Sequence, residues 1–104
     1  MRRTKRSRLE EVGWTVGDAQ RFLGLSEEED RIIEMKLALG ETLRRARLRI
    51  GLTQVQVAAL MKSSQSRVAK MEAGDPSVSL DLLVRALLIL GMSSRDVGES
   101  LKTG

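Results

Sequence analysis

Between Thr42 and Met71 lie thirty consecutive residues with no Asp or Glu. The same stretch carries Arg44, Arg45, Arg47, Arg49, Lys62, Arg67 and Lys70, and Glu41 and Glu72 close it on either side. Cations of this kind neutralise phosphate: Lys offers a compact charge, and Arg a planar fork of donors that fits an anion's oxygens. The net charge of the 104-residue chain is only +4, so the signal is where the charge lies. A positive field gathered over one short segment is the electrostatic footprint of a surface that meets a polyanion.

Other chemistries are poorly served. The chain has no Cys and no His, which removes thiolate and imidazole metal ligands, thiol nucleophiles and the usual general base at neutral pH. Carboxylate–metal or Ser–Lys chemistry would need a constellation that the sequence does not suggest. No Gly-x4-Gly-Lys phosphate loop and no Gly-x-Gly-x-x-Gly pattern occurs. An enzyme is therefore not expected, and neither is a metal or other cofactor. No apolar run approaches membrane-spanning length. The basic start Met1 to Arg8 leads into Leu9-Glu10-Glu11 rather than an apolar signal segment. The expectation is a cytoplasmic protein with no membrane partner.

The elements that must position the basic window read as helices. The apolar content is 41%, with one Trp, one Phe, no Tyr and a single Pro. The Leu- and Ala-rich balance favours an all-α fold over a sheet. Residues 1–14 form an arm, basic and then acidic, expected to be disordered. It is either a solubilising tail or overextended start, or an arm that follows a nucleic-acid backbone or minor groove. Residues 15–104 form a single helical domain. Thr15 to Leu23 suggests a leader helix with Trp14, Val16, Ala19, Phe22, Leu23 and Leu25 on its apolar side.

Ser26 with Glu29 forms a capping box that opens a long helix to about Ile50, acidic in its first turn and arginine-rich in its last. Met35, Leu39, Leu43, Ala46 and Ile50 recur at helical spacing as the stripe expected to be buried. Thr53 with Gln56 caps the next, short helix, in which Val57, Leu60 and Met61 should face inward. Ser64 starts a second short helix from Gln65 to Ala73, with Val68 and Met71 inward and Gln65, Ser66, Arg67, Ala69 and Lys70 outward. A turn at Asp75 to Val78 leads to a helix from Ser79–Leu80 to Leu90. Leu80, Leu83, Val84, Leu87 and Leu90 suit its core face, and Leu82, Leu88 and Ile89 are left over as surplus apolar surface, which argues for a second subunit. Ser93 caps a final helix with Val97 and Leu101 as i,i+4 partners.

These residues resemble a known family. Gly51-Leu52-Thr53-Gln54, Val57-Ala58, Ser64-Gln65-Ser66, Val68 and Glu72-Ala73-Gly74 fit the Xre or phage-repressor-like helix-turn-helix pattern without insertion. Ser79-Leu80-Asp81, Leu83 and Leu90-Gly91-Met92-Ser93 continue it, so the resemblance covers about Glu41 to Ser93. It implies a five-helix lambda-repressor-like DNA-binding domain, with the N-terminal leader helix added and the helix-turn-helix at 53–73. Two positions depart from the pattern: Lys62 stands where Gly is usual, and Ser63 where Val is usual. Lys62 then either takes a left-handed backbone, at about 1 kcal/mol, or the turn differs.

In such a motif the second short helix enters the major groove with its N-terminal residues toward base edges, and the first lies across the backbone. Gln65 is then the best base reader, since its amide pairs bidentately with adenine. Ser66 and Lys70 reach neighbouring bases, and Arg67 reads guanine or clamps a phosphate. The resemblance puts Gln54 and Ser64 on phosphates and pairs Glu72 with Arg47. Arg44, Arg45 and Arg49 suit helix-end charges as well as phosphate contacts. One module reads about 4 to 5 base pairs, so a homodimer on double-stranded DNA is expected. Its contact is placed at Leu82, Leu88, Ile89, Val97 and Leu101. The leader Phe22-Leu23-Gly24-Leu25-Ser26, the acidic residues after it and Met35 to Leu39 look like those of HigA-type antitoxins. That likeness implies an alternative: repression of its own operon and sequestration of a RelE-superfamily mRNA-cleaving toxin.

Overall fold

The computed structural model describes residues 26–102, and these contain five helices and no strand. They are α1 (Glu27–Ile50), α2 (Gln54–Met61), α3 (Gln65–Glu72), α4 (Leu80–Ile89) and α5 (Ser94–Leu101). The arm 1–14 and the leader helix expected at Thr15–Leu23 lie outside the described residues.

Each helix starts where a side-chain oxygen can take an orphan backbone N–H. Ser26 Oγ accepts from Glu29 at 3.1 Å, Ser64 Oγ from Arg67 at 3.2 Å and Ser79 Oγ from Leu82 at 3.2 Å. Thr53 and Gln56 cap each other reciprocally, at 3.1 and 2.8 Å, as do Ser93 and Asp96 at 3.1 and 2.9 Å. The Ser93 donors hold the Asp96 carboxyl below its ordinary value, the backbone N–H contributing most.

Four helix ends close alike, with a left-handed residue just past the helix and an N–H reaching back five residues. The bonds are Leu52 to Arg47 O, Ser63 to Ala58 O, Asp75 to Lys70 O and Met92 to Leu87 O, at 2.8–3.1 Å. Gly51, Gly74 and Gly91 supply the left-handed residue at three of them. The fourth is Lys62, at φ 54° and ψ 46°, so the usual turn is kept and its backbone cost is carried by a side-chain-bearing residue.

The core gathers Leu39 and Leu43 of α1, Val57 and Ala58 of α2, Val68 and Met71 of α3, Val78, Leu83, Ala86 and Leu87 at and in α4, and Val97 of α5. Three expectations are corrected here. Met35 and Ile50 are 39% and 51% exposed, because α1 is buried only over Leu39, Gly40, Leu43 and Ala46, and the periodic stripe outruns that stretch at both ends. Leu60 is 54% exposed: in so short a helix Val57 and Ala58 take the inward positions. Val97, assigned to a subunit contact, is only 8% exposed and belongs to the chain's own core. Among the described residues no helix is long and apolar enough to cross a membrane.

Lys62→Gly should relieve the left-handed strain and raise stability by about 1 kcal/mol, read as a higher midpoint in urea unfolding. An unchanged or lower midpoint would show that the Lys62 side chain compensates for its backbone.

Candidate nucleic-acid interface

α2 and α3 are eight residues each and are joined by Lys62, Ser63 and Ser64. The sharp turn follows from the closure at Lys62 and the immediate restart at the Ser64 cap. Inward, α3 presents Val68 and Met71, both fully buried. Gln65, Ser66, Arg67 and Lys70 are exposed on its outer side, as expected. Ser64, Ser66, Arg67 and Lys70 line one cleft of 190 Å³, completed by Ser77 and Val78 of the following turn. The Oγ atoms of Ser64 and Ser66 lie 3.3 Å apart. The Ser64 hydroxyl, placed on phosphate by the sequence reading, is first of all the cap of α3.

Gln54 and Gln65 meet on the other side of the turn. Gln65 Nε2 donates to Gln54 Oε1 at 2.6 Å, and Gln54 Nε2 donates to Glu72 Oε1 at 3.0 Å. Both glutamines line an open cleft of 670 Å³ together with Leu48, Leu52 and Val55. Gln54 is half-buried and hydrogen-bonded to both Glu72 and Gln65.

Behind the amides sits the ion pair expected between Arg47 and Glu72. Arg47 Nε donates to Glu72 Oε2 at 2.5 Å and Nη2 to Oε1 at 3.1 Å, and Nη1 donates to the Leu52 carbonyl at 3.0 Å. The Glu72 side chain is 4% exposed and that of Arg47 12%. Hydrogen bonding to Glu72 raises the Arg47 pKa further above its ordinary value; burial opposes this and the carboxylate's charge reinforces it. Breaking such a pair by deleting one partner leaves a buried charge uncompensated, at about 3–5 kcal/mol. Between residues 42 and 72 the lone carboxylate is therefore withdrawn from the surface and matched by an arginine, and the outer face of α3 stays positive.

The remaining arginines of α1 differ in surroundings. Arg44, Arg45 and Arg49 are exposed, and Arg45 pairs with Glu41 one turn earlier at 3.2 Å, an exposed pair of little consequence for stability. After α3, Asp75 accepts from the Ser77 hydroxyl and N–H at 2.6 and 2.8 Å. Those donors hold its carboxyl below the ordinary value, with a smaller contribution from the charges of Lys70 and Lys36. Lys36 Nζ donates to the Pro76 carbonyl at 2.9 Å, tying this turn to α1. Of the residues assigned to a subunit contact, Leu88, Ile89 and Leu101 are exposed, and Leu82 is half-buried against the core.

Sequence reasoning missed one positioning residue, Gly40. A Cβ there would stand 2.5 Å from the Met71 carbonyl oxygen, 2.9 Å from that of Glu72 and 3.0 Å from the Gly74 nitrogen. The glycine lets α1 touch the backbone at the end of α3. A glycine inside a helical pattern was the available signal, since it weakens the helix and calls for a packing reason.

A protein-family model described as a helix-turn-helix domain matches residues 38–100. No curated protein and no solved structure matches the chain.

Gly40→Ala pits about 0.5–1 kcal/mol of helix propensity in its favour against overpacking onto backbone atoms, about 1–3 kcal/mol and here toward the upper end. A net loss of about 2 kcal/mol is expected in denaturant unfolding. A stabilised variant would mean that α1 and α3 separate at no cost.

Proposed function

Since the chain belongs to the helix-turn-helix domain family, matched over residues 38–100, we propose that it is a dimeric, sequence-specific DNA-binding regulator acting as a repressor. A helix-turn-helix domain is a DNA-binding fold whose second helix docks in the major groove. The observation that carries the proposal is the acid-free outer face of α3. Gln65, Ser66, Arg67 and Lys70 are exposed there, while Glu72 is buried against Arg47. In this reading Gln65 contacts a base, Ser66 and Lys70 reach its neighbours and Arg67 takes guanine or phosphate. Ser64 and Gln54 approach the phosphates at the start of α3 and α2. Occupancy of a promoter by such a protein blocks transcription without any catalytic step.

A second copy is needed because one module spans too few base pairs to select a site. Leu88, Ile89 and Leu101, with the edge of Leu82, form the apolar surface for it. Val97 is not part of that surface. The alternative, an antitoxin that holds a basic mRNA-cleaving toxin of the RelE superfamily and represses its own operon, is favoured by one feature of the described chain. The first turn of α1 is Glu27, Glu28, Glu29 and Asp30, an acidic end suited to a cationic protein. Co-purification with the product of an adjacent gene separates the two readings.

Selection from a random duplex library at physiological salt should enrich an inverted repeat with half-sites about one helical turn apart. Gln65→Ala should cost about 1–3 kcal/mol at one base position of each half-site. If it leaves every position unchanged, the register of α3 in the groove is wrong. Leu88→Asp combined with Ile89→Asp should give a monomer by sedimentation that selects single half-sites. A variant that still sediments as a dimer would move the interface elsewhere.

A further inference from the structure

Resting on the reading of Gln65 as a base contact, we propose that buried Glu72 is a positioning residue for sequence specificity. Through Gln54 it fixes which edge of the Gln65 amide faces the DNA, and hence which orientation of a base pair is accepted. A glutamine amide has a donor end and an acceptor end of nearly the same shape, and left alone it can turn over. An ionised carboxylate removes that freedom, because it only accepts. Facing Glu72 Oε1 at 3.0 Å, Gln54 has to present its NH2 group. Its carbonyl oxygen is then left for Gln65, which has to present its own NH2 group in turn, at 2.6 Å.

The polarity follows from the chemistry of the three groups and not from which atom is called oxygen. The carboxylate itself cannot rotate, since Arg47 donates to both of its oxygens and also to the Leu52 carbonyl. What remains of Gln65 without a partner among the described residues is Oε1 and the second N–H, on an exposed side chain at the first position of α3. Adenine offers an acceptor, N7, beside a donor, N6–H, and the reversed pair offers the same atoms in the opposite order across the groove. A locked amide matches the orientation in which N7 lies toward Gln54, and a freely turning one would match both.

Glu72→Gln tests the idea in the full chain, by selection from the random duplex library beside wild type and Gln65→Ala. The new amide has one oxygen, which Arg47 claims, so its NH2 faces Gln54 and the chain of donors reverses. At the position that Gln65→Ala identifies, base-pair preference should fall at least about tenfold or invert, while the other positions keep their ranking. Uniform weakening with that preference intact would make Glu72 a structural residue only and overturn the proposal, leaving Gln65 as a base reader. If Gln65→Ala itself moves no position, the reading beneath the proposal fails, and the proposal with it. Should Glu72→Gln melt below the assay temperature, Gln54→Met cuts the relay with the ion pair in place. The same position should then lose its preference, and an intact preference would again overturn the assignment.

Discussion

The arrangement turns on one buried carboxylate. Glu72 lies at the end of α3 with almost no access to water, a position that is costly for an ion unless it is paired and hydrogen-bonded. Its partners come from the two preceding helices: Arg47 from α1 and Gln54 from α2. Arg47 also holds the Leu52 carbonyl in the turn between them. Buried pairs of this kind add little net stability over apolar packing, but they penalise every arrangement in which a member loses its partner. Three helices are thereby brought into one relative register by a single side chain.

Around that node the packing is economical. The core draws one to three residues from each short helix, and α1 contributes only its middle. Contact between α1 and α3 is backbone to side chainless backbone at Gly40, so the helices approach more closely than side chains would permit. The Lys36 bond to Pro76 and the Asp75–Ser77 turn then fix the chain leaving α3. With its start capped by Ser64 and its end held against α1, α3 is positioned along its length although it makes only two turns.

Most of this was legible in the sequence because the signals are local. Capping residues at Ser26, Thr53, Ser64, Ser79 and Ser93 mark the start of every helix described, and Gly51, Gly74 and Gly91 stand at three of their ends. The outward face of α3 and the Arg47–Glu72 pair also followed, the latter from resemblance. What failed depends on tertiary reach. Periodicity says which residues share a face but not how far the neighbours extend along it, so the sequence puts Met35, Leu60 and Ile50 inside and Val97 outside, and the fold reverses each. Gly40 and the Gln54–Gln65 contact join residues distant in sequence, and no local pattern announces them.

The close seat at Gly40 has a mechanical meaning. It clamps α3 at its C-terminal end, whereas the residue that would touch a base, Gln65, is at the opposite end of an eight-residue helix. The helix is a lever about 12 Å long with its fulcrum at the clamp. A tilt of about 5° there would carry the reading end about 1 Å, a large part of the tolerance of a hydrogen bond. Slack at a glycine that never approaches the ligand would thus blur recognition at the far end, and a tight fulcrum keeps the tip accurate.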